Sequence, residues 1–124
     1  MTIAEVISKV DELKPNTYSF EDKVAWLSNL DGRVKTQIID THECHHPVYF
    51  YGYDSDADQE TLLLVPHPYD EMYLRWLEAM IDYHNGEDDR YNNAIMLFNN
   101  AYEGYKKHYT RTHMPRSRGN QFVF

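Results

Sequence analysis

The stretch Glu87–Thr112, EDDRYNNAIMLFNNAYEGYKKHYTRT, decides the fold class. Tyr91, Ile95, Phe98, Tyr102, Tyr105 and Tyr109 follow one another at alternating spacings of four and three. That spacing keeps one side of a helix apolar over many turns. Glu87, Asp88 and Asp89 crowd its first turn and Lys106, Lys107 and Arg111 its last, and both placements suit the helix dipole. Pro115 stops the helix. The tyrosine stripe reads most simply as core, and next as a subunit contact, because tyrosine is favoured at interfaces. Ala94, Ala101 and Gly104 lie on an adjoining face where another backbone could approach closely.

Working outward, Asn85-Gly86 is a tight turn that closes a preceding helix. That helix starts after Pro66-His67-Pro68, with Asp70 and Glu71 near its N-terminus. It carries two adjacent stripes, Leu74, Leu77 and Ile81 beside Tyr73, Trp76, Met80 and Tyr83. An apolar arc this broad predicts burial on two sides. At the other end of the chain, Thr2 and Glu5 make a T-x-x-E capping box. Ile3, Val6, Ile7, Val10 and Leu13 then mark one helical face, which Pro15 ends. Ser19 caps a second helix with Val24, Leu27, Leu30 (or Asp31), Val34 and Ile38 on its stripe. Trp26 lies off that stripe and needs a second contact. Asp31-Gly32 predicts a kink or a close helix approach.

Between the second and third helices the pattern changes. Val48–Tyr53 is aromatic and β-branched, and Thr61–Val65 is a short apolar run. The acidic segment Asp54–Glu60 separates them. Two short strands and a long loop are expected, a β-hairpin around residues 47–66. The expected fold is mainly α: a small bundle of about four helices with a short hairpin inserted between helices 2 and 3. Residues 1–113 form the domain, and 114–124 a basic arm that is disordered until it docks.

The chain has 124 residues, 15% of them aromatic and eleven of them tyrosine. This length suits one domain with a real core. No apolar run approaches the ~20 residues of a membrane span. The segment MTIAEVISKVDELK has acids and no basic region ahead of an apolar one, so no signal peptide is expected. A single cysteine, Cys44, rules out an internal disulfide and fits a reducing compartment. The net charge of −8 is uneven. Residues 1–103 hold all 20 acids and seven of the 12 Lys and Arg, a charge of −13, whereas residues 104–124 hold five bases and no acid.

Candidate chemistry is sparse. His42, Cys44, His45 and His46 are residue types that zinc accepts. Yet zinc sites join two ligand pairs across a gap, there is no second cysteine, and neighbours in an extended stretch point in different directions. A polar loop is expected there, with no metal and no cofactor. Asp54, Asp56 and Asp58 copy the start of a calcium loop, but Gln59 and Val65 replace its glycine and its bidentate glutamate. No nucleophile elbow, phosphate loop or zinc-protease motif is present, so no catalytic residue is assigned and the chain is not expected to be an enzyme. His84, His108 and His113 lie near helix ends, where positive charge is favourable without any catalytic role. The basic end admits three readings: a solvated terminus, a phosphate contact on nucleic acid, or a docking arm. Phe122-Val-Phe124 favours docking, because aromatic rings fill pockets on a partner. The candidate partner-binding residues are therefore Arg116, Arg118, Phe122 and Phe124.

Three stretches, YSFEDKVAWLSNLDGRVKTQIIDTHE (18–43), LLLVPHPYDEMYLRWLEAMIDYHNGEDDRYNNAIMLFNNAYEGY (62–105) and TRTHMP (110–115), resemble small proteins of phages and prophages of Gram-positive bacteria. That group is similar to the head–tail connector (adaptor) proteins of tailed phages. The resemblance implies a helical bundle with a protruding hairpin or loop. It also implies a ring, commonly of twelve copies, beneath the portal protein, with DNA passing close by and tail or stopper proteins beyond. A C-terminal arm, here Met114–Phe124, would dock on the portal. The chain would be cytoplasmic in the host bacterium before assembly and part of the virion afterwards, with no membrane involved. The cluster at 42–46 and the Phe-Val-Phe end match no feature of that group. Other readings are a tail-completion or minor virion protein and, in a different class, a small prophage regulatory or nucleic-acid-binding protein.

Overall fold

A computed structural model describes residues 1–42, 50–54 and 60–113. The chain is mainly helical, with α1 (Ile3–Leu13), α2 (Phe20–Val34), α3 (Glu71–Asn85) and α4 (Asp88–Thr112). Helix α1 begins on the predicted box. The Glu5 N–H donates to the Thr2 hydroxyl at 3.2 Å, and the Glu5 carboxylate accepts from the Thr2 N–H at 3.4 Å. Ile3, Val6, Ile7 and Val10 are buried, but Leu13 is 68% exposed. The helix ends at Leu13, and the next residue, Lys14, turns to α3 and pairs with Asp82 at 2.5 Å.

Ser19 caps α2 through the Asp22 N–H at 3.1 Å. Val24, Leu27, Leu30, Asp31, Val34 and Ile38 are all buried, so both Leu30 and Asp31 belong to the inner face. Helix α2 runs through Gly32 without a break, and among the described residues an added Cβ there would meet only the Phe50 ring, at 3.8 Å. The departure comes later, in a π-helical turn over Lys35–Ile39. Thr36 Oγ donates to the Gly32 carbonyl at 3.0 Å, a back-bond that competes with the backbone for that acceptor and loosens the turn. The wider turn leaves both Ile38 and Ile39 in the core. Trp26 finds its second contact: its ring stacks on His84 (5.1 Å), and its carbonyl accepts from Trp76 Nε1 at 2.9 Å.

Helix α3 is the centre of the bundle and packs on α1, α2 and α4. Met72, Tyr73, Leu77, Ala79, Ile81 and Asp82 are buried, an arc broader than the two expected stripes. The outer members of those stripes fare differently, with Trp76 and Met80 half-buried and Tyr83 exposed. Gly86 closes α3 at φ +74°, a left-handed position that only glycine adopts cheaply. Helix α4 lies along α3 with Phe98, Tyr102, Tyr105 and Tyr109 buried and Tyr91 and Ile95 half-buried, as its spacing predicts. Ala101 packs against the core, while beyond the helix's own backbone no described residue comes within 4 Å of a Cβ placed on Gly104.

No strand occurs among the described residues. Of the expected hairpin around 47–66, residues 47–49 and 55–59 lie outside those described. Residues 61–65, all described, pair with the start of the chain. Ile3 N–H donates to the Thr61 carbonyl and Leu63 N–H to the Met1 carbonyl, both at 3.1 Å, around an isolated antiparallel bridge between Thr2 and Leu62. Tyr53 is drawn toward α2, where its N–H donates to Ser28 Oγ at 3.2 Å.

Candidate partner-binding surface

The connector between α2 and α3 is fastened by one buried acid. Asp31, with no exposed surface, accepts from the Tyr73 hydroxyl at 2.6 Å, from the Leu64 N–H at 3.1 Å and from the Tyr53 hydroxyl. Tyr73 in turn accepts from the Val65 N–H at 2.8 Å. Burial pushes the Asp31 carboxyl above its ordinary range, and the hydrogen bonds from Tyr53, Tyr73 and Leu64 oppose that push. Burial, then the neighbouring Asp31 charge, raise the Tyr73 hydroxyl well above the usual tyrosine value. An acid inside an apolar stripe was the only sequence signal of this cluster. Its tyrosine partners come from positions 22 and 42 residues away. All three donors point at the carboxylate, an arrangement that fixes a loop.

His42, the described member of the 42–46 cluster, is buried where the π-helical turn meets α4. Its Nδ1 donates to the Ile38 carbonyl at 2.7 Å, its Nε2 lies 3.3 Å from Thr110 Oγ, and its ring meets Tyr109 edge-on at 5.0 Å. Both ring nitrogens are thus engaged within the chain. Cys44, His45 and His46 lie outside the described residues, as do Asp56 and Asp58. Among the described residues no three His, Cys, Asp or Glu side chains are placed to hold a metal ion.

The histidines near helix ends share one environment. His84 stacks on Trp26, His108 on Tyr69 (4.6 Å) and His113 on Tyr109 (3.8 Å, 4° between planes). The last two, with His42, brace the final turns of α4. The outer side of that end is basic. Lys106, Lys107 and Arg111 are exposed and, with Glu103 and Thr110, line a shallow hollow of about 360 Å³. Arg116, Arg118, Phe122 and Phe124 are outside the described residues. At the opposite end of α4, Glu87, Asp88 and Asp89 are exposed. A second open area lies on the connector, where Phe50, Tyr51, Tyr53, Leu62 and Leu64 line a hollow of about 290 Å³ and Tyr51 is 92% exposed.

No family model matches this chain, and no curated protein or solved structure is significantly similar to it. No helix among the described residues is long and apolar enough to cross a membrane.

Proposed function

We propose that this chain is a structural subunit of a tailed-phage neck, a head–tail connector that binds the portal and joins head to tail. The observation that carries the reading is a charge step. From Gly104 onward the chain has five bases and no acid, and it continues from the exposed basic end of α4, whereas residues 1–103 carry −13. A basic extremity on an acidic body suits an acidic partner of its own. The resemblance over 18–43, 62–105 and 110–115 supports the same role.

In this reading residues 114–124 are the docking arm. Phe122 and Phe124 enter pockets on the portal, and Arg116 and Arg118 meet acids beside them. Ordering the arm offsets part of the contact energy, and the many copies of a ring, commonly twelve, restore the grip by multivalency. Exposed Tyr51 and Leu62, which flank the expected hairpin loop, supply apolar contact for the adjacent copy. The acidic body lets DNA pass without adhering.

The test is deletion of residues 114–124. The body should melt as the full chain does, while tails no longer join filled heads and portal protein no longer retains the chain. The pair Phe122→Ala and Phe124→Ala should reproduce much of that loss. Normal particle yield from the deletion would refute the docking role. The same basic end favours a second reading, contact with nucleic-acid phosphates through Lys106, Lys107 and Arg111. Retention on DNA that weakens steeply with added salt, without incorporation into virions, would select it.

A further inference from the structure

Helix α4 carries a second stripe, on the side away from the core. Asp89, Asn93, Met96, Asn100, Gly104, Lys107 and Arg111 follow one another at spacings of three or four, and every one is exposed. The stripe is self-complementary about its centre, Asn100. An acid and an arginine lie eleven residues to either side of it, Asn93 and Lys107 seven, and Met96 and Gly104 four. The helix dipole accounts for the charges at the two ends. It does not account for the middle. Met96 is 56% exposed and its neighbour Leu97 48%. Gly104 weakens the interior of a helix relative to alanine. It has no positive φ to justify it, and beyond its own helix backbone no described residue comes within 4 Å of a Cβ placed there.

We propose that α4 is the contact through which two copies of this chain form an antiparallel, two-fold symmetric dimer centred on Asn100. Reversing one helix against the other places Asp89 of each copy beside Arg111 of its mate, and Asn93 beside Lys107. Met96 then lies over the bare backbone of Gly104, which lets the helices approach closely. The two Asn100 amides meet at the axis, each offering donors and an acceptor to the other, and a buried Asn pair of this kind fixes register. A parallel pairing would set Asp89 against Asp89 and Arg111 against Arg111, so charge selects the antiparallel form. The contact is self-complementary and therefore closes at two copies. One helix pair is small among protein interfaces, so association in the micromolar range is expected. This dimer is a form of the free chain and does not rest on the neck reading, in which ring contacts run head to tail.

The full-length chain carrying Cys44→Ser tests the geometry by disulfide capture. With Asn100→Cys, a covalent dimer should form about tenfold faster than with Glu12→Cys, an exposed position on α1. Asn93→Cys mixed with Lys107→Cys should give the crossed dimer, and Asn93→Cys alone should not. Sedimentation of the chain with its native cysteine, under reducing conditions, supplies an independent measure. Arg111→Asp should weaken self-association about tenfold, and mixing it with Asp89→Arg should restore it. A chain that stays monomeric up to about 1 mM, a thousandfold above micromolar affinity, would overturn the proposal. So would capture at Asn100→Cys no faster than the control, capture of Asn93→Cys with itself, or a dimer seen only after residues 114–124 are deleted. That last result would mean the arm, and not a second copy, covers the stripe.

Discussion

Replacing Asp31 with leucine is the most severe single test of how the connector is held. In the native chain the Tyr73 O–H and the Leu64 N–H both end on this carboxylate, and Tyr73 is buried completely. Leucine removes the acceptor from both. A buried donor left without a partner costs about 1–3 kcal/mol, so Asp31→Leu should lose about 2–6 kcal/mol. Tyr53 is half-buried and can turn toward water, so its hydroxyl adds less. Domains of this size have only about 5–15 kcal/mol in all, and the melting temperature should fall by on the order of 10–20 °C. Calorimetry checks the magnitude, and a double-mutant cycle checks the cause. Tyr53→Phe should cost about 1 kcal/mol in the native background and close to nothing when combined with Asp31→Leu, because the bond it removes is already gone. Additive effects of the two substitutions, or a melting temperature unchanged by Asp31→Leu, would refute the argument.

The same carboxyl makes a pH prediction of definite sign. Burial raises Asp31 above its usual 3.8, so the folded chain keeps this proton at pH values where the unfolded chain has released it. Stability from this group is therefore fully present below the unfolded value and is lost as pH rises through the native one. Asp31→Asn has no such proton. The stability of the native chain relative to Asp31→Asn should fall as pH is raised from about 4 toward neutrality. Because the other carboxylates are common to both proteins, the difference between their urea unfolding curves isolates this one group, and a difference that grows with pH would contradict it.

Gly86→Ala should cost about 1 kcal/mol, since its φ of +74° strains any side chain although open space surrounds it; urea denaturation measures this. His42→Ala should destabilise by about 1–3 kcal/mol through loss of the bonds to Ile38 and Thr110. Chelator should leave the melting of the unmodified chain unchanged, and a drop on chelation would instead make the 42–46 cluster a metal site. Burial pushes the Tyr105 hydroxyl up to about 12. An ultraviolet titration should therefore show a late step that Tyr105→Phe removes, and stability should decline as pH rises from about 10 through that value.

Local chemistry made much of this fold legible. The T-x-x-E box, the Ser19 cap and Gly86 each act within a few residues, and each stands where the sequence puts it. The alternating stripe of α4 needed no partner to be recognised. Readings failed where the deciding contact was distant. Leu13 keeps the period of its face but sits at the helix end, beyond the last core contact. Gly32 looks like a breaker, yet the helix is disturbed three residues later by the Thr36 hydroxyl and the aliphatic pair behind it. The pairing of Leu62 with Thr2, and of Asp31 with Tyr53 and Tyr73, joins positions that no local pattern connects.

The two faces of α4 show why partner surfaces are harder to read than cores. A hydrophobic period announces the inner face, because burial rewards the same residue type at every step. The outer face is polar, small and apolar in turn, and as bare sequence it looks like ordinary solvated helix. Only when the tyrosines fix which way is inward does it become clear that Asp89, Met96, Gly104 and Arg111 share one line, and that this line is its own complement when reversed. Gly104 is the position where the two accounts diverge most sharply. A solvated face should favour alanine there, so Gly104→Ala should stabilise an isolated monomer by about 1 kcal/mol. A face that receives Met96 from another copy should lose association with the added methyl. Measuring stability and self-association of that one variant separates the two, since a gain in the first with no loss in the second leaves the stripe without a partner.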